Sequence, residues 1–154
     1  MSELYFEAVT KESAEAVLPI EKACFLEDTW GLIAVSSVIA DPYVDFTLWY
    51  LEGRSEPIGY IAFRLCGDEA ELYKIAVLPE MRKNGYARKM MEYMTERSRS
   101  GKAERILLEV RENNTAAVSL YKRFGFAVDG VRKNYYKNPT ENAILMSLDL
   151  NERQ

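Results

Sequence analysis

Apolar positions recur along this chain at two spacings, every second residue or every third to fourth, and the switches between them mark the elements. The run "LYFEAVT" predicts a first strand. Thr10 is placed to cap a helix over "KESAEAVLPIEKACF", where Ala16, Ile20 and Ala23 fall near helical spacing and Pro19 is positioned to kink it. A second helix, "TWGLIAVSSVIAD", should stop before Pro42. Three β-rich runs follow, "DFTLWYLEG", "PIGYIAFRLCG" and "GDEAELYKIAV", with turn residues between them, and they read as an antiparallel meander. Ala87, Met90, Met91 and Met94 then stand at i, i+3, i+4 and i+7 of a helix that Gly101 ends. The strand "AERILLEV" precedes the helix "TAAVSLYKRFG", which carries Ala117, Leu120, Tyr121 and Phe124 on one face and stops at Gly125. "FAVDGVRKNYY" and "ENAILMSLDL" close the chain as strands. This order predicts an α/β domain with a mixed sheet, one domain over residues 1–154 without repeats or linkers.

Composition narrows the function. Hydrophobic residues make up 48% and charged residues 29%, enough for a packed core. A net charge of −4 and a pI near 5.1 speak against direct nucleic-acid binding. No apolar run reaches the roughly 20 residues of a membrane span, and the mixed, acidic start does not read as a signal peptide. With two cysteines, Cys24 and Cys66, neither a disulfide framework nor a metal cluster is expected, and the cytoplasm is the simplest location. The absence of histidine removes the commonest general base and most zinc sites, and leaves neither thiol a partner to activate it.

The stretch Met81-Arg82-Lys83-Asn84-Gly85-Tyr86-Ala87-Arg88 gathers positive charge where a strand gives way to a helix. The first amides of a helix lack intrahelical partners and sit at the positive end of its dipole. Gly85 allows close backbone approach, Ala87 is small, and Arg82, Lys83 and Arg88 add charge, which together suit an anionic diphosphate. GxxxxGK[ST] and GxGxxG are both absent, so neither a nucleotide P-loop nor a dinucleotide fold is supported. On these residues alone, an ordinary charged surface turn is an equal alternative.

The stretch "IAVLPEMRKNGYARKMM" resembles the acetyl-CoA motif Q/R-x-x-G-x-G/A of the GCN5-related N-acetyltransferases, here Arg82 to Ala87. "ILLEVRENNTAAVSLYKRFGF" resembles the second half of the same family's core, a strand followed by N-x-x-A-x-x-L-Y-x-x-x-G-F. Within that family, "LEVRENN", "SLYKRFGF" and "VRKNYYKNPTENAILMSLDL" are similar to the bacterial ribosomal-protein-alanine N-acetyltransferases. Two stretches depart from that type, Glu141-Asn142, where an acidic residue usually follows the glutamate, and Thr29-Trp30-Gly31, where Pro-Trp-Ser is frequent.

The resemblance implies a mostly antiparallel mixed sheet of about six to seven strands with about four helices, and acetyl transfer from acetyl-CoA, without a metal, to a protein N-terminus. The implied acceptor is the N-terminal alanine of a small-subunit ribosomal protein. Ile75, Ala76 and Val77 would pair with the pantetheine arm, and Val77 in particular could offer an amide to the thioester oxygen. Arg82, Lys83, Asn84, Gly85, Tyr86, Ala87 and Arg88 would hold the pyrophosphate, and Asn114, a helix cap, would also contact the cofactor. Glu109 becomes the base, on the strand face it shares with Leu107, and Tyr121 the acid. Read from the residues alone, Glu109 is a strand-end carboxylate reaching solvent or an arginine such as Arg111, and Tyr121 a core aromatic. Tyr135 and Tyr136 read equally as flanking the acceptor and as plain strand aromatics. The competing functions are acetylation of a lysine side chain or a small amine, and a non-catalytic coenzyme A-binding module.

Overall fold

The computed structural model describes residues 3–151. Its strands are β1 (Leu4–Ala8), β2 (Val44–Leu51), β3 (Gly59–Cys66), β4 (Glu69–Val77), β5 (Arg105–Arg111), β6 (Ala127–Tyr136) and β7 (Glu141–Asp149). The helices are α1 (Val17–Cys24), α2 (Leu32–Ala40), α3 (Tyr86–Ser100) and α4 (Thr115–Phe124), with short 3-10 turns at Ala14–Ala16 and Pro79–Met81. The strands run β1-β2-β3-β4-β5-β7-β6 across one sheet. The β1·β2, β2·β3, β5·β7 and β6·β7 pairs are antiparallel and β4·β5 is parallel, so the expected mixed, mostly antiparallel sheet holds. The chain forms two compact units, one ending at Arg64 but including Tyr73–Met90, the other Leu65–Leu72 with the chain from Met91 onward.

In the first unit, Val9, Val17, Ile20, Val35, Phe46, Leu48, Tyr60 and Ala76 form a buried cluster. The first helix begins later than the sequence suggests. Thr10 caps no helix; its amide donates to Ser13 Oγ at 2.9 Å in a turn, and a 3-10 turn follows before α1 starts at Val17. Pro19 then lies in the first turn of α1, where a proline forfeits no helical hydrogen bond, so the expected kink site is instead part of a helix start. Gly59 lets β3 approach β4 closely, since a Cβ there would stand 2.2 Å from the Ala76 carbonyl oxygen.

In the second unit, β5 alternates as its sequence does. Ile106, Leu108 and Val110 are buried, while Leu107 and Glu109 on the opposite face are half-buried. The register runs Glu69↔Arg105 to Glu71↔Leu107 on one side and Arg105↔Asp149 to Arg111↔Ala143 on the other. The part of α3's methionine stripe in this unit is buried, at Met91 and Met94. Asn114 caps α4 by accepting the Ala117 amide at 3.2 Å. Gly125 ends α4 in the left-handed region at φ 117, where the amides of Gly125 and Phe126 both donate to the Tyr121 carbonyl, at 3.2 and 2.9 Å.

Candidate active site

The first unit carries the basic loop. After Val77 the chain makes a 3-10 turn, is extended at Arg82, bends through 83–85, and enters α3 with Lys89 N–H donating to the Gly85 carbonyl at 3.1 Å. Gly85 is therefore the residue before the helix, and the amides of Tyr86, Ala87 and Arg88 lie in its first turn, where intrahelical acceptors do not exist. Two residues have left-handed backbones, Gly85 at φ 82 and, unexpectedly, Lys83 at φ 66. A non-glycine residue there costs about 1–2 kcal/mol, and Asn84 offsets this by donating from Nδ2 to the carbonyls of Met81 (3.0 Å) and Arg82 (3.2 Å). A Cβ at Gly85 would meet nothing within 4 Å, so its glycine is needed for conformation and for what approaches from outside. The loop thus has a left-handed glycine next to the first-turn amides of α3, with a left-handed lysine beside it.

Arg82 has a second task. Its Nε donates to the Val77 carbonyl at 2.9 Å, tying the loop back to the strand end. The same carbonyl accepts from Cys24 Sγ at 3.4 Å. Burial pushes the Cys24 thiol up, despite the Arg82 guanidinium nearby, so it stays protonated. Along β4, Ile75 is half-buried, and Ala76 and Val77 are buried.

Sequence reasoning missed a buried carboxylate in this unit. Glu21 is fully buried in α1 and accepts from the Tyr60 hydroxyl, from Lys74 Nζ at 2.9 Å and from the Trp30 amide at 2.7 Å. Lys74 Nζ also donates to the Asp28 carbonyl, and lies 4.2 Å from the Phe25 ring centroid and 4.8 Å from that of Trp30. Desolvation lowers the Lys74 ammonium and raises the Tyr60 phenol far above its usual range. The available signal was position: Glu21 follows Val17 by four residues and so falls on the apolar face of α1.

The second unit carries the proposed acid and base. Glu109 pairs not with Arg111 but with Arg132, whose Nη2 stands 3.1 Å from Glu109 Oε2. Arg111 instead binds Glu141 at 3.0 Å. The negative charge of Glu109 pushes the Tyr135 phenol above its usual range. Tyr121 is buried, with its ring 5.9 Å from that of Phe126. Burial, with a smaller effect from Tyr136, pushes its phenol well above the usual tyrosine range. Asn114 is an exposed cap. Among the described residues, no group of three or more His, Cys, Asp or Glu side chains could hold a metal ion, and no helix is long and apolar enough to cross a membrane.

A family model described as the acetyltransferase (GNAT) family matches residues 9–126, a span that holds the loop, Glu109 and Tyr121. The chain belongs to this family. It is thus an acetyl-CoA-dependent N-acetyltransferase. A Bacillus subtilis (strain 168) protein provisionally named ribosomal protein bS18-alanine N-acetyltransferase is 30% identical over 141 residues, covering 92% of each chain. The Haemophilus ducreyi ribosomal protein bS18-alanine N-acetyltransferase is 38% identical over 62% of this chain and 70% of its own. Among solved structures, the ribosomal-protein-S18-alanine N-acetyltransferase from Escherichia coli superposes with a TM-score of 0.86 at 24% identity, over 99% of this chain and 97% of that one, a likeness of fold.

Proposed function

We propose that this acetyltransferase moves the acetyl group of acetyl-CoA to the α-amino group of a protein, the N-terminal alanine of a small-subunit ribosomal protein. The observation that carries the acceptor is the end-to-end match to a relative bearing that name. The reaction then belongs in the cytoplasm, with the ribosomal proteins.

The donor is held through its diphosphate by the first-turn amides of α3, with Lys83, Asn84, Gly85 and Arg88 around it. Arg82 supports this by fixing the loop to Val77. Ile75, Ala76 and Val77 offer the pantetheine arm a strand to pair with, and Asn114 combines capping with a cofactor contact.

Glu109 takes a proton from the acceptor's ammonium. An α-amine has a pKa of about 7.7–8.0, so a carboxylate base has little work to do near neutral pH. The nitrogen attacks the thioester carbon, the C–S bond breaks, Tyr121 gives its proton to the departing sulfur, and the second proton shed by the new amide nitrogen returns Tyr121 to its phenol. Burial holds the Tyr121 proton tightly, and it would also disfavour a thiolate in the same surroundings, so both sides of that transfer rise together. Cys24, kept protonated by burial, takes no covalent part, and attack is direct in a ternary complex.

The test is steady-state acetylation of an alanine-starting peptide by the wild-type protein, Glu109→Gln and Tyr121→Phe. We expect each variant to lose about 100-fold or more in kcat, the size of general acid or base catalysis. Undiminished kcat in a variant removes that residue's role, and no wild-type turnover of the peptide removes the acceptor.

A further inference from the structure

The β5–β7–β6 register places Glu109, Leu145 and Gly130 in one row and, two residues along, Arg111, Ala143 and Arg132 in another. Residues two apart along a strand share a face, so Glu109, Arg111 and Arg132 project together. Each arginine holds a carboxylate, but in different settings. Arg111 and Glu141 are 12% and 8% exposed, and Glu141 also accepts the Asn113 amide at 2.6 Å, pinning the approach to α4. Arg132 and Glu109 are 54% and 30% exposed. A pair in contact with water contributes little to stability.

Something other than stability therefore accounts for the arrangement at Glu109. The β6 ladder is irregular between Arg132 and Tyr136, where three residues on β6 oppose one on β7. Within it Asn134 has φ 54 and donates its amide to Asn142 Oδ1 at 2.9 Å. Tyr135 is thereby set with its ring 5.0 Å from the Arg132 guanidinium. A guanidinium stacked on a ring and bonded to a carboxylate is held in one place. Glutamate has three rotatable side-chain bonds, and a general base must meet its proton at hydrogen-bond distance.

We propose that Arg132 is the positioning residue of this enzyme's base, holding the Glu109 carboxylate in the orientation from which it accepts the acceptor's proton. This rests on the reading of Glu109 as the base. The guanidinium holds the carboxylate through Oε2, at 3.1 Å.

The experiment is a kinetic cycle of wild type, Arg132→Gln, Glu109→Gln and the double variant, with Arg132→Lys alongside. The acceptor is an alanine-starting peptide, or a polyamine if the wild type turns over only that. Arg132→Gln should keep the wild-type melting temperature and acetyl-CoA KM but lower kcat about tenfold or more, the scale of a misplaced catalytic group. Arg132→Lys should recover most of the loss. In the Glu109→Gln background, Arg132→Gln should cost nothing further, because it acts through the missing carboxylate. A wild-type kcat for Arg132→Gln, or a loss that multiplies with that of Glu109→Gln, overturns the proposal while leaving the base in place. An undiminished kcat for Glu109→Gln overturns both.

Discussion

Burial holds the Tyr121 proton in the folded protein, while in the unfolded chain a tyrosine ionises near pH 10. Above that pH the native state binds more protons than the unfolded state, so stability falls as pH rises. Each such tyrosine contributes a slope of up to about 1.4 kcal/mol per pH unit. Tyr60, raised by burial and by the Glu21 carboxylate, acts in the same direction. Tyr121→Phe should therefore lose less stability than the wild type between pH 9 and 11 in urea titrations, and parallel curves would contradict the burial argument. At this scale the sequence was partly legible. Helical spacing placed Tyr121 on the apolar face of α4, and strand alternation placed Glu109 opposite the core residues of β5. Arg132 was not legible, because it reaches Glu109 across β7, and only the β7 register fixes which residues of β5 and β6 share a row.

At the scale of the element, the loop into α3 makes the sharper test. Gly85→Ala puts a Cβ at φ 82, a strain of about 1 kcal/mol, into space where no protein atom lies within 4 Å. The variant should fold with a slightly lower melting point, yet its KM for acetyl-CoA should rise about tenfold or more, since the methyl group takes the diphosphate's place. An unchanged KM would place the diphosphate elsewhere. The composition of this loop suggested an anion site, but its left-handed lysine did not show, because Lys83 owes its backbone to the two carbonyls that Asn84 ties together. The start of α1 was misjudged for a related reason. Thr10 and Ser13 satisfy each other in a turn, and that local bonding competes with capping a helix.

At the scale of the whole molecule, each unit carries a different part of the proposed chemistry, the basic loop in one and Glu109 with Tyr121 in the other. The first unit also encloses the Glu21–Lys74 pair, with side chains 0% and 12% exposed. Removing one partner of a buried pair leaves a charge without compensation, at a cost of about 3–5 kcal/mol. Lys74→Met should lower stability by that order in urea unfolding, and adding Glu21→Gln should restore much of it. A double variant no more stable than the single would show that packing, not charge, dominates there. The order of elements let the α/β class and mixed sheet be read in advance, but nothing in the order revealed that a lysine from β4 and a glutamate from α1 meet. The central claim concerns the acceptor nitrogen, and one measurement reads it directly. A peptide with an N-terminal alanine and an internal lysine is incubated with acetyl-CoA and the wild-type protein, and the modified atom is located by fragment mass spectrometry. Acetyl on the α-nitrogen alone is the predicted result; acetyl on the lysine, or on neither amine, would contradict it.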